Sequence, residues 1–119
     1  MSLLGDEPPE LAPLPRELFA GLSALLDALA PPLLDAAMTK ASVRDDGVEV
    51  VLAHAREISS SVWAQAAAGG IVVGCATLHE EHEDAPAALA TVAQLLCGER
   101  EVSGYDGARL RPDFGARRS

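Results

Sequence analysis

The chain has 119 residues, a formal net charge of -9 from 18 acidic and 9 basic residues, and only 3% aromatic residues. This length predicts a single domain, and the scarcity of rings argues against nucleic-acid readers and sugar platforms that stack their ligands on several exposed aromatic side chains. The negative charge disfavours nucleic acid and anionic membranes as partners and favours basic proteins.

The first 14 residues are rich in proline and acidic residues, which predicts an extended, flexible lead-in. They contain no basic n-region and no long apolar core, so we expect no secretory signal. No run in the chain approaches the roughly 20 apolar residues of a membrane span. The two cysteines, Cys75 and Cys97, do not form a CxxC pair. Together these features predict a cytoplasmic location.

The next segment predicts an amphipathic helix. It begins near Pro15, and its apolar residues between Leu18 and Leu29 fall at spacings of one, three and four. Pro31-Pro32 must break or kink this helix, because a proline has no backbone N–H to donate and disfavours helical geometry in the residue before it. A shorter helix over residues 33–40 is expected to follow.

The middle of the chain begins with a predicted hairpin. Ala41–Arg44 and Val48–Ala55 flank Asp45-Asp46-Gly47, where the aspartates favour a turn and the glycine supplies positive φ. The run from Ile58, which includes Ser59-Ser60-Ser61, is expected to begin the next strand as a serine-rich edge. These serines have no neighbouring base, so we assign none of them as a nucleophile.

A second hairpin is predicted where two apolar runs, Val62–Ala68 and Ile71–Leu78, meet at Gly69-Gly70. Both central residues of a type I′ turn have positive φ, which two glycines adopt easily. With the first hairpin, these runs predict an antiparallel meander of four strands.

The register across Gly69-Gly70 assigns the side chains to two faces. A two-residue loop there pairs Ala68 with Ile71 and Trp63 with Ala76. One face then carries Val62, Ala64, Ala66, Val73, Cys75 and Thr77, and the other carries Trp63, Gln65, Ala67, Val72, Gly74 and Ala76. Because both sets are small and weakly polar, either helices cover both faces or one face is an apolar patch that contacts another protein.

A second helix is predicted near residues 85–97. Asp84 is a suitable N-cap, Pro86 lies in the first turn, and Gly98 is the expected C-cap glycine. A last hairpin or edge strand follows and ends at Pro112. The predicted fold is therefore α+β, with a four- to six-stranded antiparallel meander and two packed helices, the first of them kinked or broken at Pro31-Pro32. We expect a lead-in at 1–14, one domain at 15–112 and a frayed basic tail at 113–119.

The charged segment before the second helix suggests a metal site as one alternative. His79-Glu80-Glu81-His82 differs from the zinc-protease helix motif, which places its histidines four residues apart. In an extended strand, His79 and Glu81 share one face, and Glu80 and His82 share the other. With His54 from another strand, these residues could bind a divalent metal in a small enzyme or sensor.

The leading functional hypothesis is a non-catalytic acidic protein-binding module, with a basic protein or another copy of the chain as its partner. Its predicted binding residues are Glu80, Glu81, Glu83 and Asp84 at an acidic strand end, with Trp63 and Gln65 on the sheet. Trp63 is either a core residue beneath the first helix or an exposed anchor. No cofactor and no catalytic residue belong to this hypothesis. A further alternative is an alanine-lined pocket for an apolar ligand between helix and sheet.

Overall fold

The computed structural model describes residues 3–45 and 47–117, and within them it contains two α-helices, a short 3₁₀ helix and two antiparallel sheets. The elements are α1 (Pro13–Leu29), β1 (Lys40–Arg44), β2 (Gly47–Leu52), β3 (Val62–Ala67), β4 (Gly70–Cys75), β5 (Leu78–His82), α2 (Ala85–Leu96), β6 (Val102–Ser103) and β7 (Arg109–Leu110). Strands β1 to β5 form one sheet in sequential order, and β6 pairs with β7. The predicted α+β fold with an antiparallel meander is confirmed.

Helix α1 ends where the sequence predicts a break. Ala30 adopts a left-handed conformation with φ of 41°, and its N–H donates to the carbonyl of Leu26 at 2.8 Å. The two prolines that follow cannot donate to the preceding turn, so the helix stops at Leu29. Its buried stripe is Leu18, Phe19, Leu22 and Leu26.

The helix predicted over residues 33–40 is wrong. Leu34 instead forms an isolated antiparallel bridge with His54, and the carboxylate of Asp35 accepts the N–H groups of Ala37 and Met38 at 3.0 and 3.2 Å. The segment therefore hydrogen-bonds to the chain beyond β2 and to its own aspartate, both of which compete with helical bonding.

One face of the five-stranded sheet packs against both helices. Its buried side chains are Val48, Val50, Leu52, Val62, Ala64, Ala66, Ile71, Val73 and Cys75. Helix α1 packs on β2 and β3, and α2 packs on β4 and β5. The helices also contact each other closely, since a Cβ added at Gly21 would lie 2.3 Å from Leu89. The single core thus lies between this face and the helix pair.

The β3–β4 register differs from the prediction by two residues. Trp63 pairs with Gly74, and Ala67 pairs with Gly70, so the turn residues are Ala68 and Gly69. Neither turn residue has positive φ, and the predicted type I′ turn at Gly69-Gly70 is wrong. Because side chains alternate with a period of two, a two-residue slip leaves the side chains of β3 and of β4 up to Cys75 on their predicted faces. The single strand predicted over Ile71–Leu78 is wrong, since Ala76 and Thr77 form the turn between β4 and β5 and Ala76 has φ of 53°.

The β1–β2 turn also uses its residues differently. Asp45, with φ of 54°, supplies the positive φ that was expected of Gly47. Gly47 begins β2, and a Cβ there would lie 2.6 Å from the carbonyl oxygen of Ala66. Glycine is thus required by the close approach of β3.

The expected strand start at Ile58 is wrong as well, since Ile58–Ser60 is a 3₁₀ helix.

Both ends of the described chain contribute to the core. Leu11 in the lead-in and Phe114 beyond Pro112 are 3% and 0% exposed. The N–H of Phe114 donates to the carbonyl of Leu96 at 3.0 Å, so this part of the expected frayed tail is packed against α2. The predictions for residues 1, 2, 46, 118 and 119 lie outside the described residues.

Candidate interaction surface

The sheet face opposite the helices, here called the open face, is the most distinctive surface of the molecule. Strand pairing places on it the side chains of Lys40, Ser42, Arg44, Glu49, Val51, Trp63, Gln65, Ala67, Val72, His79 and Glu81. Each of these residues is exposed or half-buried, whereas the side chains on the other face of β2 to β4 are buried. Both helices pack on that other face.

Trp63 lies flat across the open face and does not pack beneath α1. A Cβ added at Gly74 would lie only 2.1 Å from Cε2 and Cζ2 of the indole, so the ring covers the glycine directly. The ring then meets the imidazole of His79 edge to face, with centroids 5.6 Å apart. Trp63 therefore extends from β3 across β4 to β5 and remains half-buried.

A shallow depression of about 330 Å³ lies at the end of the open face where the β1–β2 and β3–β4 turns meet. Arg44, Glu49, Gln65 and Val72 line it, and the Gln65 amide donates to the Glu49 carboxylate. A second depression, lined in part by Gly69 and the acidic residues that end β5, follows the β4–β5 edge. Both lie on the strands, whereas the predicted apolar pocket would lie between a helix and the sheet.

The two edges of the open face carry opposite charge. Lys40 and Arg44 lie on edge strand β1, and Glu81 lies on edge strand β5, with exposed Glu83 directly after it. Adjacent strands are about 4.8 Å apart, so roughly 19 Å separates the basic from the acidic edge. Asp45 follows Arg44 in the hairpin turn. The face is therefore polarised across its width.

Glu80, which the sequence groups with this acidic edge, points to the helix side of β5. Its carboxylate accepts from the Arg100 guanidinium and from the Thr91 hydroxyl at 3.3 Å, and it lies 3.2 Å from Nε2 of His82. The pKa of Glu80 lies below 4.5, chiefly because Arg100 donates a hydrogen bond to its carboxylate. The charge of Arg100, the hydrogen bond from Thr91 and the charge of His82 lower the pKa further, whereas burial opposes them. Glu80 therefore joins β5 to the residues around α2.

Thr91, His82 and Glu80 do not form a catalytic relay. In such a relay the carboxylate and the nucleophile contact different ring nitrogens of the histidine. Here Thr91 Oγ1 at 3.1 Å and Glu80 Oε1 at 3.2 Å both contact Nε2 of His82. Thr91 is only 4% exposed. The contacts of Thr91 and Arg100 with Glu80 were not predicted, because no local sequence pattern places either residue next to Glu80.

His54 lies in the core, apart from the other histidines. Its Nδ1 accepts the N–H groups of Arg56 and Glu57 at 3.1 Å, so Nε2 carries the proton and donates to the carbonyl of Asp113 at 2.8 Å. Its ring also meets Phe114 edge to face at 4.7 Å. Both nitrogens are thus satisfied by backbone groups.

The four residues of the predicted metal site therefore occupy three environments. His79 and Glu81 lie on the open face, His82 lies on the helix side of β5, and His54 lies in the core. Among the residues that the structure describes, no group of three or more His, Cys, Asp or Glu side chains is arranged to hold a metal ion.

Asp84 caps helix α2. The Asp84 carboxylate accepts the N–H of Ala87 at 2.9 Å, which confirms the predicted N-cap of α2.

Cys75 and Cys97 are free and buried. Burial raises the pKa of the Cys75 thiol to about 11, and the thiol donates to the carbonyl of Ser60 at 3.5 Å. A thiol with so high a pKa is a poor nucleophile at neutral pH.

Comparisons of the chain with protein-family models, curated proteins and solved structures find no match. Neither helix in the described part of the chain has the length and hydropathy to cross a bilayer. Its function is therefore inferred from its own surface chemistry.

Proposed function

We propose that the chain is a non-catalytic protein-binding module that holds a partner protein against its open face, with positive charge of the partner at the acidic edge. The observation that carries this proposal is that both helices pack on one side of the sheet, which leaves Trp63, Val51 and Val72 half-buried on the other. An apolar centre with a tryptophan, surrounded by polar and charged residues, is the usual composition of a protein interface.

The acidic edge supports a basic partner. Glu81 and Glu83 are exposed, and no hydrogen bond or ion pair engages their carboxylates among the described residues. Glu80 and Asp84, by contrast, already serve Arg100 and the start of α2. The net charge of -9 would speed the approach of a basic protein. A partner's lysine or arginine would therefore meet Glu81 and Glu83.

The size of the face favours transient binding. Five strands about 4.8 Å apart, with five or six residues rising about 3.4 Å each, give an area of roughly 400 Å². Stable interfaces typically bury about 800 Å² on each partner. The module would therefore release its partner readily. A cytoplasmic location is part of this proposal, in keeping with two free, buried thiols.

Site-specific photo-crosslinking tests the proposal. A benzophenone amino acid replaces Gln65, which is exposed at the centre of the open face, or Ala24, which is exposed on α1, in the native cell. We expect a partner protein, either basic or presenting a basic edge as this chain does on β1, to crosslink at position 65 and not at position 24. The adduct should be lost in Glu81→Gln/Glu83→Gln and retained in the matched control Glu17→Gln/Asp27→Asn. Equal crosslinking at both positions, or an adduct that is unchanged in Glu81→Gln/Glu83→Gln, would overturn it.

A further inference from the structure

We infer that the partner on the open face is a second copy of this chain, related by a two-fold axis that runs parallel to β3 between the two sheets. This inference rests on the proposed function and names its partner: the chain is acidic as a whole, but its β1 edge carries the positive charge that its own β5 edge would attract. The charges and shape of the open face, taken with the strand order, lead to this arrangement.

The strand order fixes which edges meet. Strand β3 is the centre of the sheet, with β2 and β1 on one side and β4 and β5 on the other. A rotation by 180° about an axis along β3 places β1 of each copy over β5 of the other. The same operation keeps each row of paired residues at its own height along the strands. Both edges then make the same contact, as a two-fold interface requires.

The charges select this axis over the one that runs across the strands. With the axis along β3, the rows of paired residues place Glu81 of the second copy opposite Ser42, between Lys40 and Arg44, and symmetry repeats the attraction on the other side. An axis across the strands would place β1 over β1 and β5 over β5, so that like charges meet. Glu49 pairs with Ser42 one strand in from the β1 edge and keeps its negative charge, since the Gln65 amide that donates to it is neutral.

The position of Trp63 suits the same arrangement. Its indole is displaced from β3 over Gly74 and towards His79, on the β4 side of the axis. The rotation carries the second copy's indole to the β2 side, above Val51. The two rings therefore avoid a collision on the axis, and each would cover a half-buried valine of the other copy. Facing sheets pack about 10 Å apart, which leaves room for one layer of interdigitated side chains.

Paired charge reversal tests the inference. Lys40→Glu/Arg44→Glu makes both edges acidic, and Glu81→Lys/Glu83→Lys makes both edges basic. By sedimentation velocity from micromolar to millimolar concentration, we expect the wild-type chain to form a concentration-dependent dimer and each variant alone to be monomeric. An equimolar mixture of the two variants should form a one-to-one heterodimer, because every edge then faces the opposite charge.

A matched control separates this interface from the effect of net charge. Glu17→Lys/Asp27→Lys changes the net charge as Glu81→Lys/Glu83→Lys does, but at exposed positions of α1, and it should dimerise like the wild type. A wild-type chain that stays monomeric at millimolar concentration would overturn the inference. So would a dimer formed by either edge variant alone, a Glu17→Lys/Asp27→Lys control that stays monomeric, or a mixture of the two edge variants that forms no heterodimer. The proposed function would still stand if the benzophenone at position 65 crosslinked to a basic protein instead of to a second copy of this chain.

Discussion

Glu80 shows how one carboxylate can join an edge strand to the elements around it. It receives hydrogen bonds from Arg100, 20 residues away, and from Thr91 on α2. Its neighbour Glu81 points to the open face. Two adjacent acidic residues thus have different roles, one in stability and one in the proposed binding, because side chains alternate along a strand.

The lowered pKa of Glu80 predicts a pH-dependent contribution to stability. Since the folded state holds this proton less tightly than the unfolded state, the contribution is present above about 4.5 and is lost as the pH falls through the lower, folded value. Glu80→Gln should lower the free energy of unfolding by about 1–2 kcal/mol at neutral pH. Urea denaturation at several pH values measures whether this difference closes below 4.5; a constant difference would contradict the assignment. Glu81→Gln is the control and should change little.

At the scale of elements, alternation predicted the faces of β3, β4 and β5, and the turns decided the register. Alternation within a strand does not depend on the register with its neighbour, so His79 and Glu81 were correctly separated from Glu80 and His82. The register follows from the loop conformation, and Gly69-Gly70 alone did not determine it. Residues 33–40 were mispredicted because their hydrogen bonds go to the chain after β2, which no local pattern shows.

The candidate surface was only partly predictable for a related reason. Alanines on both faces of β3 gave no indication of which face the helices cover, so Trp63 could be read as a core residue or as an exposed anchor. The partners of Glu80 and His54 also lie far away in sequence, at Arg100 and Asp113. Long-range contacts of this kind depend on the whole fold, and local periodicity carries no signal for them.

The packing of Trp63 on Gly74 predicts strong coupling between β3 and β4. A methyl group at position 74 would overlap the indole, so Gly74→Ala should cost about 1–3 kcal/mol and displace the ring towards solvent. In a Trp63→Ala background the same change should be neutral or stabilising, because alanine suits a strand better than glycine. Tryptophan fluorescence of Gly74→Ala measures the displacement of the ring. A double-mutant cycle of unfolding free energies measures the coupling between the two positions, and additive effects of the two substitutions would contradict this expectation.

At the scale of the whole molecule, the end of the described chain closes the core. Phe114 is fully buried, its N–H and carbonyl bond to Leu96 and Leu33, and its ring packs on His54. The residues after Pro112 therefore hold together α2, the segment after β2 and the segment after α1. Asp113, whose pKa is lowered chiefly by the hydrogen bond from Arg117, also accepts the N–H of Gly115.

Phe114→Ala should lower the free energy of unfolding by about 3–5 kcal/mol, because it leaves a cavity where three parts of the chain meet. Tyr105→Ala is the matched control, since Tyr105 is 78% exposed and its loss should change stability little. Chemical denaturation followed by circular dichroism measures both. Equal stability of the two variants would show that the terminal segment contributes little to the fold.

The basic residues of β1 have one more consequence. An edge strand offers unpaired backbone groups to any extended chain, and charged side chains, lysine above all, discourage such lateral addition. Lys40 and Arg44 would thus disfavour the addition of further strands at β1, as well as orient the two sheets of the proposed dimer. Replacing both with valine or threonine would remove that safeguard and expose the molecule to amyloid-like polymerisation.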